Sequence, residues 1–183
     1  AGNVFVGQYL QTDGTDGVLG WGRAFTGRPR QLKVWAHYTS ATVEYADAAG
    51  APEDVAKGKA DKGVIYVALM DDHTESYTIG SKGVPTGLTA GQTVNYPVVV
   101  KTSESQRRLF EVDGRDKEHV IAYGVHEFEG TTQGSELVEV TIDIDYRMRD
   151  VIPSYIILTA SASKGGDYFT GGMGAEAVRD LLD

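Results

Sequence analysis

Alternation of apolar and polar residues is the clearest signal in the chain. From Gln31 to Tyr38, Leu32, Val34, Ala36 and Tyr38 fall on one face, and Lys33, Trp35 and His37 on the other. This is the period-2 pattern of a half-buried strand. Val138 to Tyr146 repeats it: Val138, Val140, Ile142, Ile144 and Tyr146 face a core, while Glu139, Thr141, Asp143 and Asp145 face water. Val64 to Met70 and Tyr155 to Ala160 are instead unbroken apolar runs, as expected of strands covered on both faces. Further strands are predicted at Val4 to Leu10, Val94 to Val100 and Val120 to Phe128. Pro97 cannot donate to a ladder, so it predicts an edge or a bulge within its run.

The connections are rich in Gly, Asp, Ser and Thr, and no amphipathic helical repeat separates the strands, which argues against βαβ units. Only Ala175 to Leu182 has helical spacing, with Ala177, Val178, Leu181 and Leu182 clustered. The pattern predicts an all-β fold: a two-sheet β-sandwich of jelly-roll (galactose-binding-like) type, with a short C-terminal helix or a divergent last strand. One domain is expected over residues 1–183, with no linker, repeat or low-complexity tract.

Composition narrows the function classes. Glycine is abundant at 23 residues and methionine scarce at 3, in keeping with strands and tight turns. A formal net charge of −9 repels phosphate backbones and anionic lipid, so nucleic acid and membrane surfaces are not expected partners. The absence of cysteine excludes disulfides, thiolate metal sites and a cysteine nucleophile, and leaves the compartment open. No apolar run approaches the ~20 residues of a membrane helix, and the amino terminus carries no signal-peptide pattern. The abrupt start on Asn3-Val4-Phe5-Val6 reads as an excised domain or a mature fragment.

Candidate chemistry begins with the aromatics. Sugar rings present a face of polarised C–H groups that lies well on an indole or phenol ring, with hydroxyls held by charged or amide groups beside it. Trp35 is the leading platform, because alternation sets it opposite the apolar face between Lys33 and His37. Trp21, Tyr168 and Phe169 are loop candidates; Trp21 sits in Gly20-Trp21-Gly22-Arg23-Ala24-Phe25-Thr26-Gly27-Arg28-Pro29, whose glycines and proline give the segment a defined path. Arg23 and Arg28 could clamp a carboxylate or uronic acid, or tie the loop down through carbonyls.

Acidic clusters at Asp13 with Asp16, Asp71 with Asp72, and Asp167 with Asp180 admit a structural calcium, although none has the EF-hand spacing. Turn capping is the ordinary role of such aspartates. Enzyme signatures are weak. A glycosidase needs two carboxylates ~5–9.5 Å apart, and Asp143 and Asp145 share a face directed to solvent. Ser161-Ala162-Ser163-Lys164 matches a Ser-x-x-Lys string but ends a strand instead of opening a helix. The four histidines, His37, His73, His119 and His126, lack metal-ligand spacing, and no phosphate-cradling glycine loop precedes a helix.

Several segments in order also resemble a known family. These are Gly20-Trp21-Gly22 with Phe25-Thr26-Gly27-Arg28-Pro29 and Leu32-Lys33, then Gly63 to Leu69, Pro97 to Ser103, Val120 to Gly124, Pro153 to Ile157, and Ser161 to Gly172. Together they resemble the putative carbohydrate metabolism domain of Bacteroidetes over nearly the whole chain. The resemblance implies a jelly-roll module like carbohydrate-binding domains, at the cell surface, in the periplasm or secreted, and often part of a lipoprotein. Such domains close with a strand carrying an Asp-Asp pair, whereas Gly174 to Asp183 here loses the β-type residues.

The expectation is a non-catalytic carbohydrate-binding-like module for glycan utilisation at the bacterial surface, needing no cofactor. Trp35 and Trp21 would stack on the sugar, with Arg28, Lys33, His37, Asp167 and Tyr168 around it. Its partners would be a glycan or oligosaccharide and other surface glycan-uptake proteins. Two alternatives stand beside it: a glycoside hydrolase or lyase using paired carboxylates, and a structural or interaction domain of a surface lipoprotein.

Overall fold

A computed structural model describes residues 3–14, 16–43, 53–102, 109–110 and 114–165. The described residues form antiparallel strands with two short 3-10 turns, Glu53–Val55 and Lys117–His119. The expected Ala175 to Leu182 segment lies outside them.

A central sheet runs in the order β1 (Asn3–Phe5), β13 (Tyr155–Ser161), β6 (Gly63–Met70), β10 (Val120–Phe128), β12 (Asp145–Tyr146), with β4 (Arg23–Ala24) also paired to β13. Three smaller sheets accompany it: β2 (Gly7–Asp13) with β3 (Asp16–Trp21) and β9 (Val98–Lys101), β5 (Gln31–Ala36) with β11 (Val138–Asp143), and β7 (Glu75–Thr78) with β8 (Thr93–Tyr96). Face-to-face packing of antiparallel sheets is therefore the organising principle, as the alternation implied.

Every residue of β6 is buried, which is why its sequence is continuously apolar. On one face Ala68 and Met70 join Val120 and Ile157 against Leu19, Trp21, Val98 and Val100 of the β2-β3-β9 sheet. On the other, Ile65, Val67 and Leu69 pack against Val140 and Ile142 of β11, with Leu32, Val34 and Ala36 of β5 beside them. A third apolar layer of Leu10, Val18, Ile79 and Tyr96 lies under β7 and β8.

Three runs that read as single strands each serve two sheets. The chain leaves the central sheet after Phe5 and enters the next at Gly7. Between them Val6 donates its N–H to Leu158 O and accepts from Gly22 N, both at 2.8 Å. At Pro97, the missing donor marks the change from β8 to β9. At Ile144, β11 gives way to β12, which pairs with β10 instead of β5. Such corners let a short chain wrap one core layer after another. The Gly20 to Pro29 segment is also more regular than a loop: Gly20 and Trp21 end β3, and Arg23 and Ala24 form β4.

Candidate functional site

The β5–β11 pair presents one face to the core and the other to water. Its register sets Trp35 opposite Glu139, Lys33 opposite Thr141, and Gln31 opposite Asp143. Leu32, Val34 and Ala36 are half-buried beneath, so alternation forces the intervening side chains outward. Trp35 is 62% exposed, and Leu137, which shares the Glu139 face just before β11, is 63% exposed. Polar groups share this outer face. Lys33 Nζ lies 3.2 Å from Glu139 Oε1, Gln31 Nε2 donates to Asp143 Oδ1 at 2.8 Å, and His37 Nε2 is 3.0 Å from Gly134 O. Trp35, Lys33 and His37 are thus brought onto one rigid surface.

Trp21 is not on it. Its indole is 2% exposed and lies in the core between the central sheet and β3, 6.4 Å from the Phe5 ring and 6.3 Å from Phe110. The expected stacking role is therefore corrected: the residue is a strand end whose face points inward, flanked by Gly20 and Gly22 because both sides are crowded. Arg28 is a structural tie. Its guanidinium sits 4.5 Å over the Tyr146 ring and donates to Arg149 O at 2.8 Å and to Val151 O. Tyr146 in turn donates to Pro29 O at 2.8 Å, locking the 25–30 segment to the 146–151 segment. Asp167, Tyr168, Phe169 and Asp180 lie outside the described residues.

The calcium candidates within the described residues do not converge. Among the described residues no group of three or more His, Asp or Glu side chains gathers in metal-binding geometry. Asp13 is paired with Lys101 Nζ at 2.9 Å, and Asp16 accepts from Thr102 at 3.3 Å. Asp71 caps the His73 N–H and binds His119 Nδ1 at 3.1 Å, while Asp72 is exposed. The Ser-x-x-Lys string is likewise structural: Ser161 Oγ donates to Ser163 O, and Lys164 pairs with Glu127.

Two buried carboxylates were not singled out by sequence. Asp61 accepts from Ser163 Oγ at 2.9 Å, and burial pushes its carboxyl above the usual range although the Ser163 and Lys62 hydrogen bonds oppose this. The nearby Tyr38 phenol is pushed up to about 12 by burial, with Asp61 adding to the effect. Asp116 is also raised by burial, against the pull of Arg115, whose Nε lies 3.2 Å away and whose Nη2 reaches Glu75 at 3.7 Å. Each carboxylate is held by its own partners.

Because its native pKa is raised, Asp61 holds its proton more tightly folded than unfolded. Its ionisation then opposes folding as pH rises from the ordinary carboxylate range through the raised value, and this opposition vanishes in acid. The stability of Asp61→Asn relative to the parent is thus expected to rise with pH from about 4 upward. Urea midpoints at acid and neutral pH check this; a difference independent of pH would refute it.

A family model described as "Putative carbohydrate metabolism domain" matches residues 1–182. No curated protein matches the chain. A solved crystal structure described as a putative glycoside hydrolase from Bacteroides vulgatus ATCC 8482 is similar at 14% identity and a TM-score of 0.44. That alignment covers 83% of this chain and 56% of the other, so the chain spans little more than half of that protein's length. With the family model matching from residue 1 to residue 182, the chain belongs to the putative carbohydrate metabolism domain family.

Proposed function

We propose that the protein is a non-catalytic carbohydrate-binding module, and that it holds a sugar ring on Trp35 at the outer face of β5–β11. The observation that carries this reading is an indole left 62% exposed on a sheet whose other face is anchored in the core. A rigid strand fixes the ring before the ligand arrives, so little conformational entropy is lost on binding. Leu137 extends the apolar area, and Lys33, Glu139 and His37 stand at its rim with donors and acceptors for hydroxyls. The Lys33–Glu139 pair is more than two-fifths exposed on both sides, and such pairs are worth little, so either partner can turn to a ligand at small cost. The enclosure of Asp61 and Asp116 by their own partners supports binding over carboxylate catalysis. In this reading the module works at the cell surface or outside it, beside other glycan-uptake proteins.

Trp35→Ala tests the proposal. Retention on a glycan array should fall by more than ~10-fold, about the loss of a stacking contact, while the melting temperature stays close to that of the parent. Undiminished retention in the variant would overturn the platform role.

A further inference from the structure

We propose a second ligand site, in the groove between β4 and β8, that takes the carboxylate of an acidic sugar such as a uronate. The proposal rests on the carbohydrate reading of the protein but not on the Trp35 platform. The groove is open to solvent, has a volume of about 360 Å3, and is lined by Gly22, Arg23 and Ala24, by the β8 strand with Pro97, and by Tyr155. That volume lies within the ~300–1,000 Å3 of small-ligand sites.

Its walls are strand edges. Among the described strands, β8 pairs with β7 alone and β4 with β13 alone, so each has an unpaired edge. At Gly22 the backbone has φ +112°, and a Cβ there would come within 2.7 Å of Pro97 Cγ. Glycine thus lets the chain pass tightly against Pro97 where the groove begins.

The polar side chains in the groove offer donors, and none of them is anionic. Arg23 makes one hydrogen bond among the described residues, from Nη2 to Gly7 O at 3.0 Å, so most of its five N–H groups are uncommitted. Asn95 accepts from Ser76 Oγ through Oδ1 at 2.7 Å, which leaves its amide hydrogens without a partner among the described residues. Tyr155 is a half-buried residue whose hydroxyl has no hydrogen bond among the described residues. No acidic side chain lines the groove among the described residues, although the chain carries a net charge of −9. A neutral sugar hydroxyl needs acceptors as well as donors, whereas a carboxylate needs donors alone and matches the planar guanidinium fork. An uncommitted guanidinium in a groove lined by no carboxylate favours an anionic group, and Arg23 is its principal ligand.

Titration calorimetry with trigalacturonate, and with galactotriose as its neutral counterpart, tests this. Trigalacturonate should bind, and Arg23→Gln should weaken it ~10-fold or more, the loss of one charge-assisted hydrogen-bonding pair, while leaving galactotriose unchanged. Tyr155→Phe, which keeps the ring and removes only the hydroxyl, should weaken trigalacturonate several-fold and guards against a local change in β4 on loss of the Arg23–Gly7 bond. Unchanged trigalacturonate affinity in both variants overturns the proposal, as does the absence of saturable binding up to ~10 mM. Displacement by equimolar inorganic sulfate would also overturn it, because the sugar would then contribute nothing. Loss of trigalacturonate binding in Trp35→Ala but not in Arg23→Gln would move the acidic sugar to the platform; an Arg23 dependence that survives Trp35→Ala keeps the two sites separate.

Discussion

Trp21→Ala is expected to cost about 3–5 kcal/mol of folding stability, the range for emptying an aromatic site in a packed core. The indole is 2% exposed and touches three parts of the fold at once: Phe5 from β1, Phe110 from the segment before β10, and the apolar faces of β6, β9 and β13. Strands from both sheets define the cavity, so neither can close it without shearing its own ladder. Trp21→Phe should lose much less, about 1–2 kcal/mol. It keeps a ring in place and removes an indole N–H for which no acceptor is found among the described residues. The chain has only one other tryptophan, and Trp35→Ala should stay within about 0.5 kcal/mol of the parent because its side chain stands in water. Urea denaturation of the three variants checks the order. Equal midpoints for Trp21→Ala and Trp35→Ala would refute the assignment of one tryptophan to the core and the other to the surface.

That contrast also measures how far the sequence could be read. Trp35 was legible because alternation is a local property: its neighbours at two-residue spacing declare which face is apolar, whereas the pairing with β11 that sets Glu139 opposite it depends on a distant segment. Trp21 was not, because the side of a sheet that a strand end presents is decided by what packs across it, and its glycine neighbours mimic a loop. Gly20 is glycine because the Tyr96 ring lies against it, a contact 76 residues away in sequence. The continuous run at β6 announced burial on both faces, but nothing local reveals that a strand changes sheets at Val6 or Ile144; only Pro97 carried a chemical mark. The groove beside Arg23 was hidden for the same reason. Its wall β4 is two residues long, and its opposite wall comes from residues 93–97.

Gly7→Ala is the second substitution with a large expected effect, about 3 kcal/mol, at the upper end for overpacking. A Cβ built there overlaps Gly20 O and stands 3.0 Å from Trp21 Cα, so the obstruction is backbone and no rotamer change relieves it. Gly7 opens the β2–β3 ladder opposite Trp21, and its carbonyl accepts from Arg23. The preceding Val6 is held by Leu158 on one side and Gly22 on the other, so strand displacement would have to break bonds to both sheets. Gly20→Ala is the informative comparison. Its Cβ would come within 2.6 Å of Tyr96 Cγ, and the ring cannot swing away freely because it is buried and its hydroxyl donates to Gln8 Oε1 at 2.7 Å. Here the obstruction is a side chain, so combining Gly20→Ala with Tyr96→Leu should cost less than the sum of the two single changes, whereas Tyr96→Leu should leave the cost of Gly7→Ala unaltered. Denaturant midpoints of the three single variants, the two double variants and the parent decide it. Additive costs for the Gly20–Tyr96 pair, or a Gly7→Ala protein as stable as the parent, would show that the β2–β3 sheet has slack that this tight backbone contact denies.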